Sequence, residues 1–279
     1  MDIVQSLSET LTVNEIVSFI SDINQSLSEI LTINETVIYD AIKTLSEILT
    51  VNDNAEASVL AGIYANLQAT WAMNEVSGVR YDNSGKGNNL SDYNTVGSVA
   101  GKISNAAYFV KANSECLYRV PWNPGDIDFT FAGWVYLRDK SVNQHILYEY
   151  ATGASRYRLL YNKTTDTFRF SVSTDGTNNV YIDAGNLGSP AINTWYWICC
   201  YHDSVNNKIG IKINALAANT EGFYGGIYTG GTDHEFVIGA WSKTLGPADV
   251  NVDSTQYWTR LLSDDEKAYM YNSGNGREL

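Results

Sequence analysis

The sequence predicts a mostly-β protein, a sandwich preceded by a distinct N-terminal segment, and three observations lead there. Aromatic residues make up 12% of the chain, with Tyr (19) and Trp (7) outnumbering Pro (4) and Met (3). Such residues, with the β-branched ones, fit a pleated and half-buried surface. From Trp71 onward, strand-like runs alternate with turns rich in Gly, Asn, Asp and Ser, the pattern of a sandwich. All 22 glycines follow residue 61, and the first 61 residues hold neither Gly nor Pro. That composition break divides the chain into a segment 1–61, a connector 62–69 and a domain 70–279.

The first segment is repetitive. Ser6–Glu15, Ser26–Glu35 and Thr44–Asp53 are three copies of one unit, spaced by 20 and 18 residues. Two periods compete within it. Leu27, Leu31, Ile33 and Val37 share one face of an alternating strand, whereas Ile16, Ile20, Ile23, Leu27, Ile30, Val37 and Ala41 follow helical spacing. The density of Thr, Ser, Val and Ile favours strands; the absence of turn residues favours a continuous helix. Both remain open. A piece this short cannot bury an apolar face alone. It is expected to be an elongated stalk or docking arm that joins copies of the chain, a trimer for example, or other subunits. The alternative is an extension packed on its own domain. Ala55 to Leu67 reads as a short helical or extended connector.

In the domain, the clearest strands are Phe129–Leu137, Tyr157–Tyr161, Thr167–Ser173, Trp195–Tyr201 and Ile209–Ile213. Asp203 to Lys208 supplies a hairpin turn between the last two. Near the end, Ser263 followed three residues later by Glu266 is a capping box that opens a helix. Cys199 and Cys200 are strand neighbours that point to opposite faces, so they do not pair with each other easily. With Cys116 they read as buried free thiols, and no spacing suggests a zinc site.

These pieces in this order resemble the laminin-G-like branch of the concanavalin A-like lectin/glucanase superfamily. The match is carried by Trp71, Glu75 and Gly78 followed by Asp82, Ser84, Gly85, Gly87 and Asn88. It continues through Gly101–Phe109, Phe129–Trp134, the Trp195 strand with Asn214, Phe236–Ala240, Asp253 and Tyr257–Glu266. The resemblance implies a jelly-roll β-sandwich of two antiparallel sheets over about 70–279. The wording of the first stretch, through Val96, is most similar to laminin-G-like domains of bacteriophage structural proteins. It implies a virion surface protein: a fibre, a tail-associated component or a capsid decoration. One departure is that Lys243 to Val252 lacks the usual glycine beside Asp253.

Charge and motifs narrow the function. A net charge of -13 repels phosphate backbones, so nucleic acid is not an expected partner. The chain starts without the basic and apolar runs of a signal peptide, and no stretch reaches the ~20 apolar residues of a membrane span. Synthesis in a host cytoplasm without membrane insertion is therefore expected. No catalytic E-x-D-x-E strand, HExxH, nucleophile elbow or phosphate loop is present, so the reading is non-enzymatic. A polysaccharide-degrading enzyme would need an unfamiliar constellation.

Two kinds of site remain. Asp82 and Asn88, in a glycine-bearing loop, offer oxygens to one structural Ca²⁺. The resemblance adds Asp253 to that set. The alternative is that Asp82 and Asn88 make Asx-turns and Asp253 accepts buried backbone hydrogen bonds. For sugars, the aromatic candidates are Tyr224 and Tyr228 in a glycine-rich loop, Trp241 after a strand, and Trp122 before Pro124. Trp71, Trp134, Trp195 and Trp197 fall within strands and read as core. The expected ligand is a cell-surface glycan, bound weakly and strengthened by many copies. A protein that clamps neighbouring subunits and binds no sugar is the other reading.

Overall fold

A computed structural model describes residues 18–19, 57–152, 154–223 and 225–279. The chain divides into two compact units, Met1–Ala57 and Ser58–Leu279. Apart from Ser18 and Phe19, which are helical, the question of helix or strand in the repeats lies outside the described residues.

The second unit contains fifteen described strands. In order they are β1 (Leu67–Trp71), β2 (Ser91–Tyr93), β3 (Gly97–Ala100), β4 (Asn105–Tyr108) and β5 (Cys116–Arg119). There follow β6 (Phe129–Leu137), β7 (Gln144–Thr152), β8 (Ala154–Asn162), β9 (Thr167–Ser173) and β10 (Asn179–Asp183). The last are β11 (Trp195–Asp203), β12 (Lys208–Ile213), β13 (Asn219–Gly222), β14 (Thr232–Ile238) and β15 (Val250–Trp258), before helix α1 (Asp264–Tyr271). One sheet has eight strands in the order β13-β12-β11-β6-β15-β4-β3, with β1 also on β15. The other has seven, β10-β9-β8-β7-β14-β5-β2. All pairings between them are antiparallel. The protein is the expected sandwich of two antiparallel sheets.

The core follows from side-chain alternation. Across the seven-stranded sheet, Leu117, Ile238, Leu147, Leu159, Phe170 and Ile182 stand opposite one another in one row. That row faces inward and meets Phe131, Ile198, Ile211 and Val252 of the other sheet. Each large apolar side chain removed from water here contributes about 1.5–3 kcal/mol. Cys200 belongs to this core while its neighbour Cys199 faces the other way, and both are free thiols.

The outer face of the eight-stranded sheet is covered. Residues 57–64 are helical, and Ile63 packs with Trp134, Trp197, Cys199, Trp258 and the α1 residue Met270. Ile63 and Leu67, in the stretch expected as a connector, are both buried there, and the Trp258 indole N–H donates to the Ile63 carbonyl at 2.6 Å. The capping box is formed: the Ser263 hydroxyl accepts from the Glu266 N–H, and the Glu266 carboxylate accepts from the Ser263 N–H. Glu266 also pairs with Arg260 at 2.7 Å, fixing α1 to the end of β15.

Candidate functional site

Helical residues 57–64 and α1 pack on the eight-stranded sheet, and among the described residues no α-helix packs on the outer face of the seven-stranded sheet. One register step from the core row, Ser91, Tyr118, Val237, Tyr148, Arg158, Ser171 and Tyr181 stand opposite one another on β2, β5, β14, β7, β8, β9 and β10. Because side chains alternate, this whole row points outward. The row carries aromatic, hydroxyl and guanidinium groups around Val237, which is buried with Cys116 and Ala240 in a small apolar cluster; Tyr148 and Ser171 are buried as well.

The segment after β14 folds back over part of this row. Ser242 and Leu245 form an isolated antiparallel bridge, which lays Trp241 over the sheet. The Trp241 ring stacks on His145 (centroids 5.9 Å apart, planes 26°) and lies 5.7 Å from the ring of Tyr148. Trp241 remains 37% exposed, whereas Tyr148 beneath it is buried. The Tyr148 hydroxyl donates to Ser155 at 2.8 Å, and Ser155 donates to the Asn179 side chain at 3.3 Å. Burial, helped by the nearby Arg158 charge, pushes His145 down to about 4, so the support beneath Trp241 is a neutral imidazole at ordinary pH.

Cations line the rest of the face. Lys243 sits 4.7 Å from the Tyr118 ring centroid and pairs with Glu235 at 2.7 Å. Arg169 grips Asp183 through two bonds of 2.7 and 2.8 Å and lies over the Tyr181 ring at 3.8 Å. Arg158 donates its Nε–H to Ser171 at 2.9 Å. Glu235 and Asp183, the carboxylates in the registered rows of this face, lie on β14 and β10, four strand spacings apart. At about 4.8 Å per step that is ~19 Å, beyond the separation of about 5–9.5 Å that glycoside hydrolysis uses.

The aromatic residues expected from sequence do not form one platform. Tyr224 lies outside the described residues. Tyr228 is half-buried and serves its own loop: its N–H donates to the Ser173 carbonyl at 2.9 Å and its carbonyl accepts from Arg156 at 2.6 Å. Trp122 lies largely in the core. It is 7% exposed and packs against Trp71, Phe236 and Tyr257, with its indole N–H donating to the Tyr157 hydroxyl at 2.9 Å. Only an edge of it reaches a pocket of about 240 Å³ shared with Gln68, Asn88 and Asn123. Trp241 is the candidate that the structure presents to solvent.

The residues expected to hold Ca²⁺ lie in two loops and are largely engaged by backbone donors, while Asp253 Oδ1 has no hydrogen-bond partner among the described residues. Asp82 Oδ1 accepts from the N–H groups of Thr70 and Ser84, and Oδ2 from the Ser84 hydroxyl and the Asn88 N–H. Four donors occupy the roughly four lone-pair sites of a carboxylate. Asn88 spends its amide on the Gln68 carbonyl at 2.6 Å. Asp253 serves another loop, accepting from the Lys102 and Ile103 N–H groups at 2.7 and 2.8 Å, and burial raises it to about 7. No group of three or more His, Cys, Asp or Glu that could hold a metal occurs among the described residues.

Tyr148, Ser155, Arg158 and Ser171 were not singled out by sequence. Alternation within Thr167–Ser173 separates outward Arg169 and Ser171 from inward Phe168, Phe170 and Val172. What one strand cannot reveal is its neighbours, and it is the register across seven strands that builds the row.

A jelly roll of two antiparallel sheets is the architecture of a lectin-type β-sandwich. The family described as the concanavalin A-like lectin/glucanases superfamily, in its laminin-G form, matches residues 113–266, and the chain belongs to it. No curated protein matches the sequence. Among solved structures, the binding domain of botulinum neurotoxin serotype D is similar with a TM-score of 0.58 at 10% identity. The binding domain of botulinum neurotoxin DC, in complex with SialylT, is similar at 0.58 and 12%. The binding domain of Paraclostridial Mosquitocidal Protein 1 is similar at 0.57 and 14%. Each match covers 76% of this chain but spans only about half of the other, 52%, 52% and 53%. At such identities the likeness is one of fold.

Proposed function

We propose that the domain is a non-catalytic carbohydrate-binding module that recognises saccharides on the open face of the seven-stranded sheet. The observation that carries this reading is Trp241, a partly exposed ring stacked on His145 and in tilted contact with Tyr148, beside Arg158 and other polar side chains. The apolar C–H face of a pyranose stacks on such a ring while hydroxyl groups meet the polar row. The superfamily includes both lectins and glucanases. Binding without hydrolysis is favoured here because Glu235 and Asp183 are far apart and each is engaged by a cation. A similar fold in a toxin binding domain is found in complex with SialylT, which supports a sugar as the ligand class.

We place the module on a virion surface, joined to sister chains or to other virion proteins through segment 1–61. The threefold repetition of that segment supports the proposal, since a repeated short unit buries its apolar residues only against neighbours. Many copies would then strengthen a weak single site.

Binding of the full chain to a glycan array, beside the Trp241→Ala variant, tests the function. The expected result is retention of a defined set of glycans by the parent chain and loss of that set in the variant. A clean absence of binding by the parent would favour a structural, subunit-clamping role. Shortening of bound polysaccharide chains on incubation would instead mark an enzyme.

A further inference from the structure

We infer that the saccharide taken by the open face carries a carboxylate, and that Arg158 is the residue that reads it; this rests on the saccharide-binding reading of the same face. Three cations stand on this face. Lys243 is matched by Glu235, and Arg169 by Asp183. Arg158 has no carboxylate within ion-pair distance among the described residues.

Its geometry suits an anion. The bond from Nε to Ser171 fixes the plane of the guanidinium, and among the described residues the Nη1 and Nη2 edge has no acceptor. That edge is a rigid fork whose two N–H groups match the two oxygens of a carboxylate. Ser171 itself is fully buried, so the anchor does not move with solvent. The neighbouring polar groups are already linked to each other, Tyr148 to Ser155 and Ser155 to Asn179. The unspent polar capacity of this stretch therefore lies on Arg158.

Position completes the case. Arg158 on β8 stands directly opposite Tyr148 on β7, and Trp241 lies against Tyr148. One strand spacing, about 4.8 Å, is comparable to the width of a sugar ring. A pyranose stacked on Trp241 thus brings an attached carboxylate over the guanidinium. His145, lying under Trp241, stays neutral and does not compete for the charge. The acidic groups on the same face, Glu235 and Asp183, are screened by their own partners and do not offset Arg158.

The test uses the full chain and matched sets of immobilised oligosaccharides, each in neutral, carboxylated (uronic or sialic acid) and sulfated form. The expected result is preferential retention of carboxylated members, declining as salt is raised. In Arg158→Gln that preference falls by at least about tenfold, the weakening expected when a charge-assisted hydrogen bond is lost. Arg158→Lys, which keeps the charge but not the fork, restores only part of it, and Trp241→Ala abolishes retention of every form. Thermal melting of each variant confirms that the fold is kept. Equal retention of neutral and carboxylated members, preference for the sulfated form, or an unchanged Arg158→Gln would overturn the role of Arg158 while leaving saccharide binding in place. Retention of no member would remove saccharide binding itself, and with it this assignment.

Discussion

Trp241 is held as a platform by what it rests on. A ring at the start of a loop would ordinarily turn with the backbone, but stacking on His145 and a tilted contact with Tyr148 fix its plane. The support has a pH signature. His145 lies at about 4 in the folded chain against 6.5 when exposed, so the unfolded chain binds its proton first as pH falls. The stability it contributes is therefore present above about pH 6.5 and is lost as pH drops towards 4. Melting temperatures of the parent and of His145→Gln, followed from pH 7 to 4, are expected to converge on acidification; a constant difference would contradict the assignment. Single residues were unevenly legible in the sequence. Trp241 was a candidate because it follows a strand-like run, and in the structure it is 37% exposed. Trp122 sits among Pro121, Asn123, Pro124 and Gly125, which read as loop, yet its ring enters the core between Trp71, Phe236 and Tyr257. Burial of a loop residue depends on partners far away in sequence, and no local pattern encodes it.

Strands were the most legible elements because their signal is local. Phe129–Leu137 and Thr167–Ser173 were bounded as the structure has them, since period-two alternation ends at turn residues on both sides. The loops between strands were less so, and here a buried charge does the ordering. Arg156 of β8 is fully buried and ties two loops together. It donates to the Tyr228 carbonyl in the glycine-rich loop, and to Asn123 and the Gly125 carbonyl in the Trp122 loop, at 2.6, 2.9 and 3.2 Å. Its counter-charge is Glu149, at 3.0 Å and equally buried. Arg156→Met leaves that carboxyl with His234 Nδ1 alone, at 3.1 Å, and is expected to cost about 3–5 kcal/mol in urea unfolding. The double variant with Glu149→Leu should recover much of the loss. A single variant as stable as the parent would show that the loops do not depend on this pair.

At the scale of the whole molecule, the two sheets differ in what covers them. Helical residues 57–64 and α1 bury the outside of the eight-stranded sheet at β1, β6, β11 and β15. This asymmetry was invisible in the sequence, because Ile63 and Met270 are separated by most of the chain and nothing local pairs them. The repeats of segment 1–61 make a separate prediction about assembly. Light scattering is expected to give an oligomer for the full chain and a monomer for residues 58–279, which keep Ile63 and Leu67 in place. Equal monomeric masses for both would remove self-association from the role of the repeats. The measurement that bears most directly on function remains glycan binding by the full chain and its Trp241→Ala variant. Defined glycans retained by the parent and lost from a variant of unchanged melting temperature are the expected result; a parent that retains none, or a variant that retains all of them, would contradict a binding site on the open face.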